Sequence, residues 1–244
     1  MNNPKKQLGV IGGLGPLATA WFMELVIRMT DARTDQQHLD MLIYNIPSIP
    51  DRTAYLLDPT KEDPLPAMIR VGKALAQQGA QCVAIPCVTA HHFLPQLSRE
   101  IPIPIIDAVA ETVDHLRAFR VSAAGILATD GTIATKLLQN ALESQGIRAV
   151  LPDAADQQKV MDLIYQDIKA DRPVNVEKFR QVSDHLRRQG AQVNILGCTE
   201  LSLIKREHNI GPGYIDALEV LAQQSVLRCG GILKEKYRCL ISKE

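Results

Sequence analysis

The sequence predicts an α/β protein built from two similar doubly wound parallel-sheet domains. Short apolar runs bounded by glycine or proline alternate with longer stretches of helical periodicity, which is the pattern of a parallel sheet covered by helices. Landmarks of the first half recur in the second half at nearly constant separation. These observations indicate an internal duplication, with two halves related by a pseudo-twofold axis and a cleft between them.

The elements of the first half can be assigned in order. Residues 8–11 and 40–45 are short apolar runs that predict strands, and residues 16–29 and 64–78 have the spacing of helices. Residues 81–85 are apolar and end at a proline, which predicts a strand buried on both faces. In the second half, residues 194–196 predict the equivalent strand. A cysteine follows each of these two strands.

The duplication rests on three separated landmarks. Gly-Ala-Gln at 79–81 recurs at 190–192, and Cys87 recurs as Cys198 at the same separation of 111 residues. Gly9 and Gly15 have counterparts 116 residues later, and Ile-Asp-Ala at 106–108 recurs 109 residues later. Cys87 and Cys198 therefore occupy equivalent positions.

The landmarks also predict the domain boundaries. The second copy begins just after residues 118–122, so we expect a first domain over 1–118 and a second over 119–216. Residues 217–244 have no counterpart between the halves. They predict a helix over 217–227, a Gly-Gly break and a second helical stretch, and we expect this segment to pack back on the first domain.

Bulk properties exclude several classes of function. Lysine plus arginine and aspartate plus glutamate both number 27, so no overall charge favours nucleic acid or an anionic membrane. No apolar run is long enough for a signal-peptide core or a membrane span. The five cysteines are scattered, without the paired spacing of zinc sites or disulfide scaffolds. We expect a reduced, cytoplasmic protein that acts on a small molecule.

The paired cysteines predict acid–base chemistry. Open α/β sheets bind ligands at the carboxyl ends of their strands, where the amino end of the next helix stabilises a thiolate. A single cysteine there would fit core packing equally well. Two at duplicated positions favour catalysis, because racemisation removes a proton from one face of a carbon and delivers one to the other. Cys87 and Cys198 would do this without a metal or redox cofactor.

Polar neighbours of the cysteines are candidate supporting residues. Thr89 and Thr199 closely follow the two cysteines, so their hydroxyls could cap a helix or bind a carboxylate. His91 comes four residues after Cys87 and would share a helix face with it, where it could orient or polarise the thiol. Glu200 could do the same near Cys198. A cap or an ordinary surface position stays open for His91 and Glu200.

Three motifs together resemble the aspartate/glutamate racemase family over nearly the whole chain. They are Gly-Gly-Leu-Gly-Pro at 12–16, Pro-Cys-Val-Thr-Ala-His at 86–91 and Leu-Gly-Cys-Thr-Glu-Leu at 196–201. The resemblance implies pyridoxal-independent racemisation of aspartate or glutamate by two cysteines in a cleft between two α/β domains. It also implies that the protein needs no cofactor and forms a homodimer.

The same resemblance implies a set of substrate-binding residues. Residues 49–53 match the segment with the family's carboxylate-binding arginine, here Arg52, followed by Thr53. Residues 164–169 look like the segment whose lysine, here Lys169, binds the distal carboxylate of acidic substrates, although an ordinary solvated lysine stays open. The first and second binding loops contribute Gly12, Thr129 and Thr132.

Val88 departs from the family pattern, which usually has asparagine directly after the first cysteine. A valine side chain cannot form the hydrogen bond by which that asparagine helps to hold the substrate. The change could broaden the pocket towards apolar side chains, weaken the activity or redirect the chemistry. We therefore expect aspartate or glutamate first, with a broader set of amino acids open.

Three other functions fit parts of the sequence. Residues 13–18 match the Gly-x-Gly-x-x-Gly/Ala dinucleotide pattern, but the second strand ends without the required acidic residue. Two similar lobes also describe ligand-binding proteins, in which paired cysteines would have no purpose. Maleate isomerases, arylmalonate decarboxylases and hydantoin racemases would retain the two cysteines. Arg52 and Lys169 favour an acidic amino acid over these alternatives.

Overall fold

A computed structural model describes residues 5–241. The first half contains β1 (Leu8–Gly12), α1 (Pro16–Met29), β2 (Met41–Asn45), α2 (Arg52–Leu57), α3 (Leu65–Gln77), β3 (Cys82–Ala84), α4 (Leu94–Glu100) and α5 (Ala108–Ala118). The second half contains β4 (Ala123–Leu127), α6 (Asp130–Ala134), α7 (Leu137–Ser144), β5 (Arg148–Val150), α8 (Ala154–Asp162), α9 (Val176–Arg188), β6 (Val193–Leu196), α10 (Leu201–Glu207), β7 (Tyr214–Asp216) and α11 (Ala217–Arg228).

The two sheets have the same parallel topology. The strand order is β2-β1-β3 in the first sheet and β5-β4-β6-β7 in the second. Ile105 forms a parallel bridge to Val83 beside β3, in the place that β7 takes beside β6. The predicted fold class is confirmed, because each half repeats the same winding.

The central strands are buried because helices cover both faces of each sheet. Every residue of β1 and of β4 is buried, as expected for parallel strands rich in apolar residues. One apolar cluster continues from Leu8 and Val10 in the first sheet to Ile126 and Ile195 in the second. Within residues 5–241, no helix combines the length and apolarity needed to cross a membrane.

The C-terminal segment returns to the first half. Helix α11 packs against α1 and α5. The amide of Lys6 donates to the carbonyl of Cys229 at 3.0 Å, and the amide of Lys234 donates to that of Met29 at 2.9 Å. The predicted second helical stretch is wrong: a single 3-10 turn, Glu235–Tyr237, forms there, because the chain before it bridges to the end of α1 in extended form. The predicted division after residue 118 stays a prediction.

Candidate active site

The two cysteines lie on the wall of one small cavity between the halves. Both are buried, with 7% of Cys87 and 6% of Cys198 exposed, and each follows the carboxyl end of its strand, β3 or β6. The cavity has a volume of about 10 Å³, the space of about one water molecule. The other predicted residues on its wall are Arg52, Thr53, Val88, Thr89, Thr129, Lys169, Thr199 and Glu200.

A larger outer cavity adjoins this inner cavity. Its volume is about 620 Å³, within the range of small-molecule sites, and residues 13–18 form much of its wall. Five residues line both cavities and therefore mark the passage between them: Leu14, Asp51, Arg52, Lys169 and Glu200. A ligand in the outer cavity would have to displace these side chains to reach the cysteines, because the inner cavity has room for about one water molecule.

Cys198 faces a carboxylate. Its Sγ donates to Glu200 Oε2 at 2.9 Å, and Thr199 Oγ1 donates to the same oxygen at 3.2 Å. Burial and then the charge of Glu200 raise the pKa of the Cys198 thiol well above its ordinary value. The backbone amide of Glu200 lowers this pKa, as expected at the start of the following helix, but burial and the carboxylate charge of Glu200 outweigh it.

Cys87 faces a guanidinium. Arg52 begins α2 and is 6% exposed, and its Nη atoms donate to the backbone carbonyls of Leu14, Ile49 and Pro50. Burial opposes its charge, but attraction to Cys87, and then to Asp51, outweighs burial and raises the pKa of Arg52. The carbonyls fix the guanidinium in place with its charge beside Cys87.

His91 contacts the backbone of Cys87 rather than its thiol. The ring Nε2 lies 3.1 Å from the amide of Ala108, which can only donate, so Nε2 accepts and the proton resides on Nδ1. Nδ1 then donates to the carbonyl of Cys87 at 3.0 Å. His91 therefore ties the Cys87 loop to the first residue of α5.

Three threonine hydroxyls join the two halves. Thr89 Oγ1 lies 3.0 Å from Oγ1 of both Thr129 and Thr132, which are themselves 3.2 Å apart. All three residues are buried, with Thr132 behind the cavity wall. Thr129 also caps α6, whereas neither Thr89 nor Thr199 makes a side-chain cap to the helical segment that follows its cysteine.

Lys169 is paired across the cleft. Its Nζ lies 3.7 Å from Asp51 Oδ2 and 4.2 Å from the centroid of the Tyr165 ring. Tyr165 also donates from its hydroxyl to Asp51 Oδ2 at 3.3 Å. Burial opposes the charge of Lys169, but Glu200, Tyr165, Cys198 and Asp51 outweigh it and raise its pKa. A π-helical turn, Leu163–Ile168, positions this part of the chain.

Two predicted substrate contacts have distinct positions. Val88 is 3% exposed and presents an apolar surface on the inner wall. Gly12 lines neither cavity, because it ends β1 with Thr19 packed behind it; a Cβ on Gly12 would lie 2.4 Å from Thr19 Cγ2. The neighbouring residues 13–15 form the wall in its place.

Two wall residues, Asp51 and Tyr165, were not among the predicted site residues. Asp51 directly precedes Arg52, and Tyr165 lies in the same segment as Lys169, so the motifs contained both residues. Their contact joins residues 114 positions apart. No local spacing rule could have paired them.

The fold and the site define a two-half α/β protein in which each half contributes one cysteine to a shared cavity. A family model for Asp/Glu/Hydantoin racemase matches residues 11–225. The chain therefore belongs to the Asp/Glu/hydantoin racemase family, whose members are isomerases.

Individual relatives agree with this assignment. The chain is similar to Picrophilus torridus aspartate racemase, with a TM-score of 0.82 and 30% identity over 96% of this chain and 99% of that one. It is 26% identical to the broad specificity amino-acid racemase RacX of Bacillus subtilis, over 90% of this chain and 96% of the relative. An aspartate racemase homologue from Pyrococcus horikoshii shares the fold, with a TM-score of 0.74 and 21% identity over 92% and 99% of the two chains.

Proposed function

We propose that this protein racemises α-amino acids without pyridoxal phosphate, by proton transfer between the α-carbon and the thiols of Cys87 and Cys198. The observation that carries this proposal is the meeting of two cysteines from duplicated positions on the wall of one cavity. A planar intermediate held between them would lose a proton on one face and gain one on the other. Family membership supports the same reaction.

The surroundings of the two cysteines support different starting roles for them. Cys198 holds its proton, since burial and Glu200 raise its pKa, so it acts first as the acid. Cys87, which lies beside the guanidinium of Arg52, acts as the base. The Cys87 sulfur takes the α-hydrogen as a proton while the C–H electron pair remains on carbon. That carbon then takes the proton of Cys198, which becomes the thiolate, and the opposite enantiomer reverses these roles.

The wall of the site suits an α-amino acid whose side chain is acidic or apolar. Lys169 would bind a distal carboxylate in exchange for its contact with Asp51. Val88 adds an apolar surface where a bulkier neutral side chain would fit. We propose aspartate and glutamate as the first substrates within a broader set, as supported by relatives described as an aspartate racemase and as a broad specificity racemase.

Substrate entry requires the cleft to open, because the inner cavity has room for about one water molecule. The contacts that must separate are the hydroxyl cluster of Thr89 with Thr129 and Thr132, and the contact of Asp51 with Tyr165. Reclosure would then exclude water from the reacting carbon. A cytoplasmic location and a homodimer remain predictions.

Proton exchange tests the reaction directly. The purified protein is incubated with each L-amino acid in deuterated water without pyridoxal phosphate, and α-deuterium incorporation is followed together with the enantiomer ratio. We expect incorporation with inversion for aspartate, for glutamate or for neutral amino acids. Absence of exchange with every amino acid would contradict the proposal and favour isomerase or decarboxylase chemistry on the same pair of cysteines.

A further inference from the structure

Two buried charged side chains in the site each have one polar atom without a hydrogen-bond partner in the described part of the chain. These atoms are Nε of Arg52 and Oε1 of Glu200, and the residues are 6% and 4% exposed. Buried polar atoms in folded proteins nearly always have partners. An unpaired donor and an unpaired acceptor in one site therefore point to a ligand that supplies both missing bonds.

The remaining polar atoms of these two side chains are occupied. The Nη atoms of Arg52 donate to backbone carbonyls, and Glu200 Oε2 accepts from Cys198 and Thr199. Each side chain is thus held by protein, and Arg52 also interacts with the side chain of Cys87. Arg52 Nε and Glu200 Oε1 are the atoms left without a partner. Both residues line the inner and outer cavities, and they come from opposite halves of the protein.

Glu200 Oε1 is buried close to Gly15. A Cβ built on Gly15 would lie 2.6 Å from this oxygen, so any other residue there would press against the carboxylate. Gly15 precedes α1 with a backbone conformation that other residues also adopt, φ −117° and ψ 140°. Its small size therefore matters here for the room that the Glu200 carboxylate occupies rather than for backbone freedom.

The other two charges near the passage already face each other. Lys169 and Asp51 lie 3.7 Å apart across the cleft, and Tyr165 also donates to Asp51. This leaves Arg52 and Glu200 as the charged pair with vacant hydrogen-bonding atoms. An α-amino acid has the matching chemistry, since its ammonium donates and its carboxylate accepts on either side of one carbon.

We infer that Glu200 is the binding residue for the α-ammonium group of the substrate. Its Oε1 accepts from the ammonium while its Oε2 keeps the thiol of Cys198, and Arg52 Nε donates to the α-carboxylate. Glu200 thereby holds the substrate and the Cys198 thiol on a single carboxylate. This inference rests on the proposed function and extends it, because it makes the ammonium a condition for binding.

The consequence is selection against analogues that lack the ammonium. A 2-hydroxy acid would leave the buried carboxylate of Glu200 without its cation, and sites built around such a polar contact reject the analogue strongly. We expect L-aspartate to bind at least about 100-fold more tightly than L-malate, and L-alanine more tightly than L-lactate by a similar factor. The members of each pair differ in having an ammonium or a hydroxyl group at the position that Glu200 is inferred to bind.

The test measures binding without turnover. Affinities of the four probes are measured by calorimetry in a Cys87→Ser background, which keeps the contact between Cys198 and Glu200. Adding Glu200→Gln should reduce the preference for amino acid over hydroxy acid to less than about tenfold. Glu207→Gln, an exposed carboxylate at the end of the same helix, is the matched control and should leave the preference unchanged.

The variant Gly15→Ala is a second, independent test of the inference. Its methyl group should crowd Oε1 and lower the affinity for the two amino acids while it leaves the two hydroxy acids less affected. The inference is overturned if Cys87→Ser binds both members of each pair equally, if it binds neither amino acid, or if folded Glu200→Gln keeps the full preference. If Glu200→Gln does not fold, the Gly15→Ala result decides.

The proposed function can fail separately. Wild-type protein that binds amino acids selectively but exchanges no α-proton would contradict racemisation and leave the ammonium site standing. Racemisation by the wild type together with an unchanged preference in Glu200→Gln would contradict the ammonium site and leave the proposed function standing.

Discussion

The segments that follow the two cysteines have the same position in the duplication and are anchored in the same way. His91 links the Cys87 loop to the amide of Ala108 at the start of α5. Ser202, at the same 111-residue separation from His91 as Cys198 is from Cys87, donates to Asp216 Oδ1 at 2.7 Å at the start of α11. Different side chains thus preserve one structural connection in both halves.

The charges beside the two cysteines differ. Arg52 faces Cys87, whereas Glu200 faces Cys198, and the position equivalent to Glu200 in the first half is Thr89. The two halves therefore have the same backbone arrangement around their cysteines but carry opposite charges beside them. Two chemically identical groups in opposite environments can start a reaction in opposite protonation states, which is how paired acid and base roles are commonly assigned.

The largest expected effect comes from removing either thiol. Cys87→Ser and Cys198→Ser should each lower racemase kcat by at least about 1000-fold, because inversion requires both groups and neither can replace the other. Cys239→Ser, at an exposed free cysteine, is the control and should keep full activity. Retention of more than about a tenth of the activity by either active-site variant would contradict the two-base account.

Glu200→Gln should remove much of the electrostatic difference between the halves. After burial, the charge of Glu200 is the largest cause of the raised pKa of Cys198, so its loss should lower that pKa. The limb of the pH profile of kcat/KM that Cys198 sets for a given enantiomer should move to lower pH. An unmoved profile would show that Glu200 does not set the protonation of Cys198, and Glu207→Gln serves as the control.

Asp51→Asn tests whether Lys169 exchanges its contact with Asp51 for the distal carboxylate of a substrate. Asparagine keeps the cap that Asp51 provides to the amide of Ala54 but removes the charge paired with Lys169. KM for L-aspartate and L-glutamate should fall about threefold to fivefold, while KM for L-alanine stays unchanged. Asp58→Asn, at the exposed end of α2, is the matched control. An equal change for L-alanine would remove the distal-carboxylate role.

The last prediction concerns stability rather than catalysis, at Glu219 in α11. Burial, and then the charge of Asp216, raise the pKa of Glu219 to about 7. The folded state therefore binds this proton more tightly than the unfolded chain, so the stabilisation is full below pH 4.5 and is lost as pH rises through 7. Glu219→Gln should remove this dependence, with a difference on the order of 1–3 kcal/mol in urea unfolding between pH 5 and pH 8. A parallel pH dependence in both proteins would contradict this assignment.

Most of the fold could be predicted from the repeated patterns in the sequence. Parallel strands and equivalent cysteines follow from patterns that recur at fixed separation, and the structure confirms the shared strand order. Local patterns do not predict contacts between residues distant in the sequence, such as that of Tyr165, in a π-helical turn, with Asp51. The C-terminal stretch is not the predicted helix, because Leu233 forms a bridge with Thr30 at the distant end of α1. Local composition does not report such pairing.

The exchange of the α-proton in single-cysteine variants tests the central claim most directly. Each enantiomer of a turned-over amino acid is incubated in deuterated water with Cys87→Ser or Cys198→Ser, and retained α-hydrogen is measured. If each thiol serves one face, each variant should exchange one enantiomer without inversion, and the two variants should choose opposite enantiomers. Exchange of the same enantiomer by both variants would contradict the assignment of one cysteine to each face.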